Sequence, residues 1–80
     1  MIRIAILTVS DAGARGERVD TSGDTIAAWA AGRGMALAAR RLVPDDVPAI
    51  VTTLLEWADH GVADLILTTG GTGLTERDVT

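Results

Sequence analysis

Hydrophobic positions along the chain follow two periods, one typical of buried strands and one typical of amphipathic helices. Three short apolar runs, rich in β-branched residues, are bounded by polar residues, glycine or proline. They predict three strands, at Ile2–Val9, Met35–Val43 and Ala63–Thr69. The middle run contains Arg40 and Arg41, which predicts a less buried strand at a sheet edge.

Between these strands the sequence predicts two helices. The first covers Thr21–Arg33, with Asp20, Thr21 or Ser22 as its N-cap and Gly34 just past its end. The second opens after Asp45 or Asp46, accepts Pro48 in its first turn and ends at Gly61. Its apolar positions repeat every three or four residues. They are Val47, Ile50, Val51, Leu54, Leu55 and Ala58. The polar segment Ser10–Asp20 is predicted to be a loop.

Strands that alternate with helices predict an α/β fold with a parallel sheet. The first and third runs are the most apolar, so they are predicted to be neighbours, with the second run outside the first. The local strand order is then 2-1-3, and the two helices cover opposite faces. This order places a topological switch point between strands 1 and 3, where open α/β sheets bind ligands at the carboxyl ends of the strands.

A glycine-rich segment follows the third strand at this predicted switch point. Gly70, Gly71 and Gly73 allow positive φ angles and close approach of a ligand. Successive backbone N–H groups can form an anion-binding nest, to which Thr69 and Thr72 add hydroxyl groups. The segment predicts a site for a phosphate-bearing ligand, and the alternative is an ordinary glycine-rich turn. It is not a dinucleotide fingerprint, because glutamate occupies the place of the third glycine.

Three carboxylates are predicted to lie at the same edge of the sheet, and they suggest metal-assisted chemistry on a phosphate. Asp11 follows strand 1, Asp45 follows strand 2 and Asp78 follows the glycine segment. Magnesium is commonly held by one or two carboxylates together with substrate phosphates. Each has a structural alternative: a loop entry for Asp11, a helix cap for Asp45 and a surface ion pair for Asp78.

Three further residues are candidates for binding a polar ligand. Arg77 can pair with a phosphate through two parallel hydrogen bonds, and Ser10 and Ser22 can donate hydrogen bonds. Each has an alternative structural role, which is a surface ion pair for Arg77 and helix or loop capping for the serines. Trp29 and Trp57 are interpreted as packing residues, with Trp57 at the border of its helix's apolar stripe.

Composition excludes several classes of site. There is no cysteine, only one histidine and no lysine among the seven basic residues. Disulfides, thiolate metal sites, a Walker-type phosphate loop and a Schiff-base lysine are therefore excluded. The net charge of −4 argues against a nucleic-acid-binding surface. No apolar run reaches the ~20 residues that span a bilayer, so a cytoplasmic protein without a membrane partner is predicted.

Four motifs in order resemble the molybdenum-cofactor biosynthesis domain, of the molybdopterin adenylyltransferase type that also forms the G domain of gephyrin. The first two are Thr8-Val9-Ser10-Asp11 and Asp20-Thr21-Ser22-Gly23. The other two are Val43-Pro44-Asp45 and the segment from Thr68-Thr69-Gly70-Gly71-Thr72-Gly73 to Arg77-Asp78-Val79-Thr80. The resemblance covers the whole chain, and the last motif is the most specific.

The resemblance implies a three-layer α/β/α fold and a homotrimer. It implies transfer of AMP from Mg²⁺-bound ATP to the terminal phosphate of molybdopterin, with release of pyrophosphate. By motif position, Asp45 and Asp78 match the family's functional aspartates, which would position Mg²⁺ and the reacting phosphates. The segment Thr69–Gly73 matches its pterin- and phosphate-binding loop.

Two alternatives and one departure accompany this resemblance. The alternatives are a non-catalytic molybdopterin-binding paralogue of the same fold and a flavodoxin-like cofactor-binding module. The family domain also continues past the equivalent of Thr80, with a further helix, strands and a Leu-Pro-Gly-type loop. Residues 1–80 are therefore expected to be the N-terminal half of one truncated domain, which alone would bind weakly and catalyse nothing.

Overall fold

The computed structural model describes residues 1–16 and 20–70, which form three strands and three helices. In chain order these are β1 (Arg3–Val9), α1 (Asp11–Ala14), α2 (Thr21–Gly32), β2 (Ala36–Val43), α3 (Val47–Asp59) and β3 (Leu65–Gly70). All three predicted strands and both predicted helices are confirmed, with bounds that shift by one or two residues. None of the described helices has the length and hydropathy needed to cross a membrane.

The sheet has the order β2-β1-β3, and both pairs are parallel, as the apolar character of the strands predicted. Val9 at the end of β1 is aligned with Val43 of β2 and with Gly70 of β3. The carboxyl ends of all three strands are therefore level, and the segments that follow them leave from one edge.

β1 is buried on both faces because a helix covers each side of the sheet. Ile4 and Ile6 are fully buried against Ala30 of α2. Ala5 and Leu7, which point to the other face, pack with Trp57 of α3. This alternation explains the nearly continuous apolar sequence of β1. The predicted three-layer α/β/α arrangement with helices on opposite faces is confirmed.

The amphipathic stripe of α3 is rotated relative to the prediction. Trp57 and Thr53 are its buried residues, with Trp57 well inside the contact face and not at its border. Val47, Val51 and Leu55 are exposed by 70%, 44% and 58%. The apolar stripe is wider than the part of the helix that touches the sheet, so periodicity alone could not identify the buried half.

Two other local predictions were wrong. Trp29 is 45% exposed, with the Arg33 guanidinium carbon 4.8 Å from its ring centroid, so it is not a core residue. The predicted loop Ser10–Asp20 contains the four-residue helix α1. This turn forms because Ser10 is extended and its side-chain oxygen accepts a hydrogen bond from the Gly13 N–H at 3.0 Å.

Candidate functional site

Two hydrogen bonds join the segments that follow β1 and β2. The Ser10 N–H donates to the carbonyl oxygen of Val43 at 2.8 Å. The Asp45 N–H donates to Oδ1 of Asp11 at 2.8 Å. These bonds hold two segments 34 residues apart in sequence against one another at the carboxyl edge of the sheet. The candidate residues Ser10, Asp11 and Asp45 are therefore neighbours.

The neighbouring carboxylates at this edge have different surroundings. Asp46 is the N-cap of α3, where its side chain accepts a hydrogen bond from the Ala49 N–H at 3.0 Å. Asp11 uses one oxygen for the Asp45 amide. Within residues 1–16 and 20–70, the exposed side chain of Asp45 makes no hydrogen bond or ion pair. Of the two aspartates that could have capped α3, Asp46 does so, and Asp45 is left able to bind an external ligand.

Gly70 brings the end of β3 close to the backbone of β1. Its φ angle is +95°, and a Cβ atom added to it would collide with the carbonyl oxygen of Val9. Gly70 therefore takes the positive φ that its sequence allowed, and no other residue type fits there without strain. Thr69 precedes it, opposite Thr8 of β1.

Where the structure describes them, most of the predicted site residues lie together. Ser10, Asp11, Asp45, Thr69 and Gly70 share the carboxyl edge of the sheet. Ser22 is exposed on the first turn of α2. Five further candidates lie outside the described residues: Gly71, Thr72, Gly73, Arg77 and Asp78. Binding of a ligand by any of these residues remains a prediction.

The described part of the chain contains no group of three or more histidine, aspartate or glutamate side chains that could hold a metal ion. Mg²⁺ commonly binds through one or two carboxylates plus phosphate oxygens, and the exposed carboxylate of Asp45 suits this mode.

A second polar cluster, missed by the sequence prediction, links β1, β2 and α2. Thr8 is 3% exposed, and its hydroxyl donates to Oδ2 of Asp20 at 3.0 Å. Oδ1 of Asp20 accepts from the Gly23 N–H at 2.9 Å and caps α2. The guanidinium of Arg40 lies 3.1 Å from Asp20 and 2.7 Å from Asp24. Asp20 therefore fixes the start of α2 to both strands.

The register of β2 contained a signal for this cluster. Arg40 is opposite Ile6, and Arg41 is opposite Leu7, so the two guanidinium groups leave opposite faces of the sheet. A cation on a face that a helix covers can pair with an acidic residue on that helix. Arg40 finds Asp20 and Asp24 at the start of α2, and Arg41 finds Glu56 on α3 at 2.9 Å.

The pKa of Asp20 reflects these contacts. Burial raises the pKa of the carboxyl, but hydrogen bonds from Gly23, Arg40 and Thr8 outweigh burial and hold it below the usual value of 3.8. A carboxyl whose pKa is lower in the folded state stabilises the fold above its unfolded pKa. That contribution is lost as the pH falls below 3.8 and passes through the lower folded pKa.

We expect Asp20→Ala to lower the free energy of unfolding by about 1 to 2 kcal/mol at neutral pH, because α2 loses its cap and Thr8 loses its acceptor. Asp20→Asn should cost less, since asparagine also caps helices. Chemical denaturation at several pH values measures both. The difference between wild type and Asp20→Asn should shrink below pH 3.8. A constant difference across this range would contradict the assigned role of the charge.

Comparisons with known proteins agree with the fold. Residues 5–80 match the family described as a probable molybdopterin binding domain. A molybdopterin adenylyltransferase from Pyrococcus furiosus is 42% identical over 78 residues, covering 98% of this chain and 45% of that protein. A molybdopterin adenylyltransferase from Haemophilus influenzae is 38% identical over 85 residues, covering 100% of this chain and 42% of that protein.

A solved structure has a similar fold and sequence. The crystal structure of the molybdopterin biosynthesis enzyme MoaB from Thermus thermophilus has a TM-score of 0.84 and 53% identity, and the match covers 96% of this chain and 48% of that one. The chain spans less than half the length of the relatives that it matches. Since the family match extends over nearly all 80 residues, the chain belongs to the family of probable molybdopterin-binding domains.

Proposed function

We propose that the chain carries part of the site at which molybdopterin is adenylylated during molybdenum cofactor biosynthesis. An oxygen of the terminal phosphate of molybdopterin would attack the α-phosphorus of ATP. The bond between that phosphorus and the oxygen bridging to the β-phosphate breaks, and pyrophosphate leaves. The observation that carries the proposal is the exposed carboxylate of Asp45, which makes no hydrogen bond or ion pair within residues 1–16 and 20–70. Asp45 lies at the same sheet edge as Ser10, Asp11 and Gly70. Relatives named molybdopterin adenylyltransferase support this reaction.

The predicted site residues have distinct proposed tasks. The segment from Thr69 to Gly73 would hold a phosphate of molybdopterin through backbone N–H groups and threonine hydroxyls. Ser10 and Ser22 would contribute to the surroundings of the bound pterin, and Arg77 would neutralise phosphate charge. Such transfers depend mainly on positioning and charge neutralisation, which these residue types provide.

Asp45 and Asp78 are proposed to hold Mg²⁺ together with the phosphates of ATP. When bound, the ion neutralises charge on the phosphate oxygens. The donor set suits it, because carboxylate oxygens are the hard ligands that Mg²⁺ prefers. Asp45 supports the assignment through its exposed side chain, which has no partner within residues 1–16 and 20–70.

The protein is further proposed to act in the cytoplasm and to form a homotrimer, the second of which the family resemblance implies. The exposed apolar side chains of Val47, Val51 and Leu55 are compatible with a contact between copies. They are equally compatible with a contact to another part of a longer domain, since the matched relatives are more than twice as long.

The reaction is tested by mixing the purified full-length protein with ATP, Mg²⁺ and molybdopterin and measuring pyrophosphate. We expect release that requires both substrates and is abolished by EDTA. Binding of molybdopterin, measured by the fluorescence of its pterin ring, is the second readout. Binding without pyrophosphate release would identify a non-catalytic paralogue. Absence of both would overturn the proposed function.

A further inference from the structure

The hydrogen bond between Asp45 and Asp11 indicates a role for Asp11 other than direct contact with the bound metal or substrate. We propose that Asp11 is a positioning residue, which fixes the main chain at Asp45 so that the Asp45 carboxylate points to the ligand. This inference rests on the proposed function of Asp45. The contact is short, at 2.8 Å, and it connects the end of β1 to the end of β2.

The backbone around Asp45 is held by partners outside its own segment. Pro44 has no N–H group, and the Asp46 N–H turns back to the carbonyl oxygen of Pro44 at 2.8 Å. The Val43 carbonyl and the Asp45 N–H, on either side of Pro44, are both satisfied by the segment after β1. Ser10 donates to the first and Asp11 accepts from the second. These two bonds flank Pro44 and define the direction in which the chain leaves β2.

Asp11 can fix Asp45 because Asp11 is itself held in place. Ser10 caps α1 through Gly13, and Gly13 lies against Leu42 of β2. A Cβ atom at Gly13 would come within 2.8 Å of Cδ1 of Leu42, so this turn packs directly on the strand. The carboxylate of Asp11 therefore projects from a short helix that rests on β2, one residue before that strand ends at Val43.

The contact requires an oxygen acceptor and does not require a negative charge. An asparagine in place of Asp11 would present a carbonyl oxygen at the same point, whereas an alanine would present none. If Asp11 instead coordinated Mg²⁺ directly, removing its negative charge would greatly weaken Mg²⁺ binding, because charge dominates the binding of that ion. The pair Asp11→Asn and Asp11→Ala therefore separates positioning from direct coordination.

We expect Asp11→Ala to lower kcat for molybdopterin-dependent pyrophosphate release about tenfold, because Asp45 is less well placed. The KM for ATP should change much less than kcat. Asp11→Asn should restore kcat to within about twofold of wild type, because it keeps the acceptor. Loss of kcat in Asp11→Asn comparable to that in Asp11→Ala would overturn the proposal and assign the charge a direct role.

A second measurement does not depend on activity. Hydrogen exchange of the Asp45 amide, followed by NMR without substrates, should be about fivefold faster in Asp11→Ala and nearly unchanged in Asp11→Asn. Unchanged exchange in Asp11→Ala would overturn the positioning role even if the enzyme is active. If wild type releases no pyrophosphate, the exchange result still decides whether Asp11 holds Asp45. If Asp11→Ala does not fold, Asp11→Asn decides alone. A kcat and an Asp45 amide exchange rate equal to those of wild type would support the proposal, whereas a lower kcat or faster exchange would overturn it.

Discussion

Asp45→Asn should reduce molybdopterin-dependent pyrophosphate release by about a hundredfold or more, the scale seen when one preorganised electrostatic contact to the reacting group is removed. The side chain of Asp45 is exposed and makes no hydrogen bond or ion pair within residues 1–16 and 20–70. Its replacement therefore leaves the described contacts intact, and the free energy of unfolding should change by less than about 0.5 kcal/mol. The loss would be one of chemistry and not of folding.

Asp46→Asn is the matched control for this change. Asp46 is the next residue and has the same charge, but its side chain caps α3. Asparagine caps helices about as well as aspartate, so Asp46→Asn should retain most of the wild-type rate and stability. Both variants change the net charge equally, which removes long-range electrostatics as an explanation. Equal activity of Asp45→Asn and wild type would contradict the metal-holding role of Asp45, and equal losses in both variants would show that only total charge matters.

This division between two adjacent aspartates shows what the sequence could and could not predict. The sequence placed a helix after Asp45-Asp46 and allowed either residue to cap it. The backbone conformation determines which aspartate caps α3. Asp46 is extended, with φ −141° and ψ 118°, and its side chain accepts a hydrogen bond from the Ala49 N–H. Asp45 instead directs its N–H to Asp11. A long-range contact of this kind leaves no periodic signal.

The central strand and the strand order were predictable because burial on two faces leaves a continuous apolar sequence. The edge strand β3 is less buried than its apolar sequence indicates. β1 has that sequence, and its central position followed from it. The exposed edge of β2 followed from Arg40 and Arg41. Once the order was predicted, the common edge for Ser10, Asp45 and Gly70 followed from topology alone.

Local packing was predicted less well, because it depends on the angle at which each helix meets the sheet. Trp29 and Trp57 were assigned the same packing role, yet one is 45% exposed and the other 4%. From the sequence, Asp20 was predicted only as a possible helix cap. Its contacts with Thr8 and Arg40 were not predicted, because these residues lie on β1 and β2 and not on α2. Residues 71–80 lie outside the described structure, so the sites predicted there stay predictions.

Gly70→Ala should lower the free energy of unfolding by about 3 kcal/mol or more, because a strained backbone and a steric collision act together. Gly70 has φ +95°, and an added Cβ would collide with the Val9 carbonyl oxygen and lie 3.1 Å from both the carbonyl carbon and the nitrogen of Val9. All three are backbone atoms of the central strand β1, so rotation of a side chain cannot relieve the collision.

Gly34→Ala separates the two causes. Gly34 also has a positive φ, of +75°, but an added Cβ there meets nothing within 4 Å. Its replacement should therefore cost only about 1 kcal/mol, from the left-handed backbone alone. Denaturant unfolding with a common m-value gives both costs, and the excess for Gly70→Ala measures the collision with β1. Equal costs would mean that β3 can move away from Val9, and the candidate phosphate-binding segment would then not be anchored to β1 at this point.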